Sequence, residues 1–102
     1  MLTMESFYKD LGALIKEARE NKQLLQAEIA QKIGLSRASI INIEAGRHRP
    51  LLHHVLDLAF LLDISFEKII TLYSQHKFSA EKEKQPSNIK KIINDIYAKK
   101  GD

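Results

Sequence analysis

Residues 24–50 read LLQAEIAQKIGLSRASIINIEAGRHRP, and their pattern decides how the rest of the chain is read. Ile29, Ala30 and Ile33 fall at i, i+1 and i+4, one side of a short amphipathic helix that starts at Gln26. Gly34 is a natural left-handed stop. Leu35 bridges, and Ser36 offers a hydroxyl to cap a second short helix. In that helix Ile40 and Ile43 point one way, while Ala38, Ile41, Asn42 and Ala45 point the other and Arg37 sits at the exposed N-terminal shoulder. Gly46 ends it, and a basic loop, Arg47-His48-Arg49, runs to Pro50.

Outward from this stretch the helical period continues. Before it, Phe7, Leu11, Leu14, Ile15 and Ala18 recur as one inward stripe, predicting a helix over about 6–21, with Lys9, Glu17 and Glu20 off the stripe. After it, residues 52–62 are apolar almost all round, interrupted only by His53, His54 and Asp57. A helix of that composition wants burial on more than one side. Asp63 stands where a left-handed residue would end it, a conformation aspartate tolerates better than most. Ser65 then caps a further helix carrying Phe66, Ile69, Ile70 and Tyr73 at i, i+3, i+4 and i+7.

The order Gln26, Ala30, Gly34, Ser36, Ile40, Ile43, Glu44, Gly46, Pro50 resembles the helix-turn-helix of the phage-repressor (Xre, lambda-repressor-like) family, and the likeness extends from about Phe7 to Tyr73. It implies an all-α fold: five helices of the lambda-repressor type over residues 1–74, with double-stranded DNA as partner. In this family the N-terminus of the second motif helix enters the major groove, so Arg37, Ala38 and Asn42 are the expected base readers. Arg37 can pair with guanine O6 and N7, Asn42 with adenine or a phosphate, and Ala38 can approach a thymine methyl. Gln26, Ser36, Ser39, Arg47, His48 and Arg49 are the expected phosphate contacts, through side chains and helix-end amides. The resemblance also implies an ion pair between Arg19 and Glu44.

Two positions depart from the pattern. Leu25 stands where relatives carry a capping Ser or Thr, and Ile41 where they carry a polar side chain. Ile41 can lie against a thymine methyl or a sugar, or simply be a lone exposed apolar residue. Leu51 and Phe60 are likewise apolar where the family is usually polar, which calls for a covering surface.

Beyond the motif region, residues 75–87 turn polar and charged, EKEKQP at 81–86, and read as a linker. Residues 88–102 form a last amphipathic pattern: Ile89, Ile92, Ile93, Ile96 and Tyr97 share a face. So short a helix is marginal alone in water, so that stripe needs a partner. The candidates are the apolar fourth helix of its own chain, a sister subunit in a homodimer, or a foreign protein such as a toxin or peptidase.

Composition narrows the function classes. The 102 residues carry a formal charge of +3, a mild basic bias suited to one positive face. There is no cysteine, which excludes disulfides, thiolate metal sites and cysteine catalysis. No apolar run approaches a membrane span, and the first residues lack a basic and apolar leader, so the expected compartment is the cytoplasm. Of the four histidines, His53 and His54 are adjacent and diverge on a helix, whereas paired helical metal ligands favour i, i+4 spacing. No cofactor or metal is expected, and no constellation of nucleophile, base and acid points to an enzyme. The expected activity is a dimeric repressor of an inverted-repeat operator, its own promoter included. The alternative is an antitoxin or peptidase-controlled repressor of a phage or immune operon whose C-terminal helix is the regulated segment.

Overall fold

A computed structural model describes residues 4–77 as five α-helices: α1 Met4–Asn21, α2 Gln26–Ile33, α3 Arg37–Glu44, α4 Leu52–Leu62 and α5 Phe66–Lys77. No strand occurs among the described residues. Phe7, Leu11 and Ile15 of α1 form the spine of the core, separated by one helical turn each, and Ile29, Ala30, Ile40, Ile43, Leu58, Ala59, Leu62 and Ile64 close around it. Each large apolar side chain buried this way contributes roughly 1.5–3 kcal/mol. α1 packs against α3, α4 and α5, while α2 packs against α3 and α4. The two short helices are therefore held from behind by α1 and α4.

The helix ends follow local chemistry. Gly34 takes the left-handed conformation (φ 77°) after α2, and the next N–H, that of Leu35, donates to the Ala30 carbonyl at 2.9 Å. Asp63 adopts the same region (φ 56°) after α4, and its carboxylate meets Lys22 at 2.6 Å. Ser65 accepts from the Lys68 N–H at 3.0 Å and caps α5. Leu25 gives α2 no side-chain cap; instead Glu28 accepts from the Leu25 N–H at 2.7 Å, half of a capping box.

One contact was invisible to the apolar pattern. Gly12 is buried on α1 directly against the C-terminal carbonyls of α3. A Cβ there would overlap the Ile43 carbonyl oxygen and come within 2.6 Å of that of Glu44. One turn earlier, a Cβ on Gly46 would lie 2.7 Å from the Lys9 Cα. Backbone thus meets backbone where α1 crosses the end of α3.

α5 differs from expectation in its inward face and its length. Phe66 is half exposed and Tyr73 is at the surface, whereas Ile69 and Leu72 pack on the core and His76 is buried. Gln75–Lys77, read above as the start of the linker, continue the helix. The cause is tertiary: His76 Nε2 lies 2.8 Å from Asp10 Oδ2 on α1, and its ring meets the edge of Phe7. The rest of the linker and the helix over 88–102, with Ile89, Ile92, Ile93, Ile96 and Tyr97, lie outside the described residues.

α4 presents its surplus apolar surface as expected. Leu58, Ala59 and Leu62 enter the core, while Leu52 and Phe60 stand out, Phe60 84% exposed. Phe60 borders a shallow apolar cleft of about 170 Å³ shared with Ala59, Ile64 and Phe66. None of the described helices is long and apolar enough to cross a membrane.

Candidate nucleic-acid interface

α2 and α3 are short, eight residues each, so neither is stable alone; the shared core and a charge network behind them hold the two together. Arg19 of α1 grips Glu44 at the end of α3 through two hydrogen bonds, Nε to Oε2 at 2.7 Å and Nη2 to Oε1 at 3.0 Å. Its Nη1 donates to the Leu24 carbonyl at 2.9 Å, tying down the α1–α2 turn. Both side chains are buried, and the Glu44 hydrogen bonds raise the Arg19 pKa above its ordinary value against the opposing effect of burial. A bidentate pair of this kind is geometrically specific as well as strong.

Gln26 joins this network. Its Nε2 donates to Glu44 Oε1 at 3.0 Å, so one amide hydrogen of the expected phosphate contact is committed to bracing α2 against α3. The second hydrogen remains for a ligand. Ser36 also serves the helix end. Its hydroxyl accepts from the Ser39 N–H at 3.0 Å as the cap of α3 and donates to Ser39 Oγ at 3.0 Å. The two hydroxyls share one hydrogen bond, so one proton of the pair is left to point outward.

The outer edge of α3 begins with Arg37 and Ala38, both exposed. Ile41 and Asn42 follow a turn later and are half-buried, so Ile41 is less exposed than its position on the helical wheel implied. The loop brings two expected contacts together: Arg47 Nε donates to Asn42 Oδ1 at 3.0 Å. His48 is exposed. Arg49 lies over the ring of Tyr8, 5.5 Å from its centroid, an arrangement that favours a cation.

Lys9, Arg47 and Arg49 share the rim of an open cleft of about 650 Å³ between the start of α1 and this loop, with Tyr8 and Glu5. Lys9 and Tyr8 were not singled out from the sequence; their place is set by the close approach of Gly46 to α1, which no periodicity records. Arg37 and this cluster put four cationic side chains around α3. Phe60 and its cleft belong to α4 and lie outside that group.

Two short helices joined by a glycine turn, the second capped, braced from behind and fringed by cations, define a helix-turn-helix domain. A family model described as Helix-turn-helix matches residues 15–69, more than half of the chain, and the protein belongs to that family of DNA-binding, non-enzymatic domains, of the phage-repressor type its sequence resembles. The "ImmF control region 10 kDa protein" of Bacillus phage phi105 is 41% identical over 56 residues, covering 55% of this chain and 62% of its own. A protein of Methanococcoides burtonii, named as a candidate HTH-type transcriptional regulatory protein, is 32% identical over 85 residues, 83% of this chain and 25% of its own. The uncharacterized HTH-type transcriptional regulator YqaE of Bacillus subtilis is 26% identical over 81 residues, 79% of this chain and 65% of its own. The chain thus aligns with less than two thirds of the length of each. No solved structure matches it.

Proposed function

We propose that the protein is a sequence-specific transcriptional regulator, a dimeric repressor that occupies an inverted-repeat operator, its own promoter among its targets. The observation that carries this reading is the outer edge of α3: Arg37 and Ala38 exposed at a capped N-terminus, with cations on the flanking loop. Arg37 reads a guanine, Ala38 approaches a thymine methyl, and Asn42 completes the set, with Ile41 against the sugar edge. Ser39, the second amide hydrogen of Gln26, and Arg47, His48 and Arg49 meet phosphates and fix the register. Names among the relatives support the regulatory role: a control-region protein of a phage and two HTH-type regulators.

The DNA-binding unit includes α5, whose described residues run to Lys77. The segment after it carries the isoleucine stripe and, together with Phe60, supplies the surface that pairs two subunits in the cytoplasm. Two recognition helices in successive major grooves place half-site centres roughly 10–10.5 base pairs apart, or a multiple. Selection of bound sequences from a random DNA pool at stated salt tests the reading. The expected product is a two-fold symmetric motif that loses information at one guanine in each half-site when Arg37→Ala replaces the wild type. An unenriched pool, or a motif indifferent to Arg37→Ala, overturns it.

A further inference from the structure

The turn that ends α3 does more than stop a helix. Gly46 is left-handed (φ 78°), its N–H donates to the Ile43 carbonyl at 3.1 Å, and the Arg47 N–H donates to the Asn42 carbonyl at 2.9 Å. These two bonds are the Schellman closure of a helix C-terminus. It returns the chain over the last turn, so Arg47 is delivered above Asn42 by the backbone itself. The Arg47 Nε–H then donates to Asn42 Oδ1 at 3.0 Å. Arg47 therefore holds Asn42 at two points, one on the main chain and one on the amide.

That second point has a chemical consequence. An asparagine amide has one arm that only accepts and one that only donates, and the two have nearly the same shape. Unheld, it can turn over and offer either arm to a base. A guanidinium has no acceptor, so only the oxygen arm can face Arg47. One lone pair of Oδ1 and both Nδ2 hydrogens remain for the base. Held in one sense, the amide matches the N6 donor and N7 acceptor of adenine in a single orientation; turned over, it would set donor against donor there and suit a carbonyl oxygen instead.

We infer that Arg47 is a positioning residue for base recognition: by fixing the sense of the Asn42 amide it determines which base Asn42 selects, beyond any phosphate its guanidinium meets. The inference rests on the reading that Asn42 faces a base edge. Both Nη groups of Arg47 remain for the phosphate, so the two roles are compatible and separable.

The test uses the full-length protein, a selected binding site and its single-base-pair substitutions, titrated at several salt concentrations. Asn42→Ala identifies the base pair that Asn42 reads. Arg47→Lys keeps the charge without the planar guanidinium; it is expected to retain the wild-type salt slope while losing on the order of tenfold discrimination at that same base pair. Arg47→Ala is expected to lose that discrimination and about one unit of salt slope as well. In the Asn42→Ala background neither Arg47 substitution lowers discrimination further. If Arg47→Lys keeps wild-type preference at every position, or loses it at a base pair that Asn42→Ala does not affect, the positioning role is wrong. A wild-type protein with a clear motif that Asn42→Ala leaves untouched overturns instead the placement of Asn42 at a base. Thermal melts of each variant separate these outcomes from loss of fold.

Discussion

Replacing Glu44 with alanine removes the acceptor of three hydrogen bonds at once, two from Arg19 and one from Gln26. The Arg19 side chain is 10% exposed, that of Glu44 3% exposed, so little water can take the carboxylate's place without opening the junction of α1 and α3. Arg19 would keep only the Leu24 carbonyl. A buried lysine could shed its proton near neutral pH; a guanidinium keeps its own there. The expected loss is therefore that of a broken buried pair, about 3–5 kcal/mol. A domain of this size has a total stability of roughly 4–11 kcal/mol, so the variant should sit near its folding threshold. At roughly 4–8 °C per kcal/mol the melting temperature should fall by tens of degrees. Urea unfolding followed by far-ultraviolet circular dichroism measures the loss directly. The paired replacement Arg19→Met with Glu44→Leu removes both charges and should recover most of it. Glu44→Ala within about 0.5 kcal/mol of wild type, or a double variant as unstable as the sum of the singles, would refute the account. The sign with pH is also fixed. Because the folded-state pKa of Arg19 is raised, its contribution is complete below the unfolded value and lost only as pH rises through the folded one, far above neutrality.

Three further outcomes are expected. Gly12→Ala drives a methyl into fixed carbonyls and should cost at least about 1–3 kcal/mol, whereas Gly34→Ala, with open space around it, should cost only the left-handed strain of about 1–2 kcal/mol. Alanine scanning of the pair by thermal melts checks this, with Gly34 the more costly position as the refuting result. Leu25→Ser should stabilise by about 0.5–1 kcal/mol, because an exposed side chain that caps nothing becomes one that can accept from the first turn of α2; an unchanged urea midpoint would contradict it. Phe60→Ser should leave the monomer's stability nearly unchanged and weaken self-association in sedimentation experiments; a lower melting temperature at concentrations where the protein is monomeric would place Phe60 in an intrachain contact instead.

The five helices were legible because each carries its own evidence: the Phe7–Leu11–Ile15 stripe, the Gly34 stop, the Ser36 and Ser65 caps and the left-handed Asp63 are local signals. What was not legible depends on residues distant in the chain. His76 reads as part of a polar stretch until Asp10, 66 positions away, supplies its partner. Gln26 looks like a free amide at a helix start, and only the fold puts Glu44 within its reach. Ser36 was identified as a cap, but its second bond, to Ser39 Oγ, has no signature in the helical pattern. Gly12 interrupts no pattern on α1, since a residue chosen for having no side chain leaves no mark in hydrophobic periodicity. Phe66 satisfied the helical spacing and yet faces outward, because α1 meets α5 and it is Ile69 and Leu72 that pack on the core.

The backbone contact between α1 and the end of α3 also bears on how the protein can search for its site. Side chains between two helices act as a cushion that can repack and let one helix roll; at Gly12 no cushion is present, and Gly46 lies directly against the Lys9 backbone. The recognition helix should therefore meet every duplex at one fixed attitude relative to α1. For the proposed dimer, mismatch in groove width or half-site spacing would then be absorbed elsewhere, by bending or twisting the DNA or by yielding at the contact between subunits. Sequences that deform easily between the half-sites would be favoured at positions no side chain touches. On the proposed reading, stiffness in the reading head would be a second source of selectivity, exercised on the mechanics of the duplex.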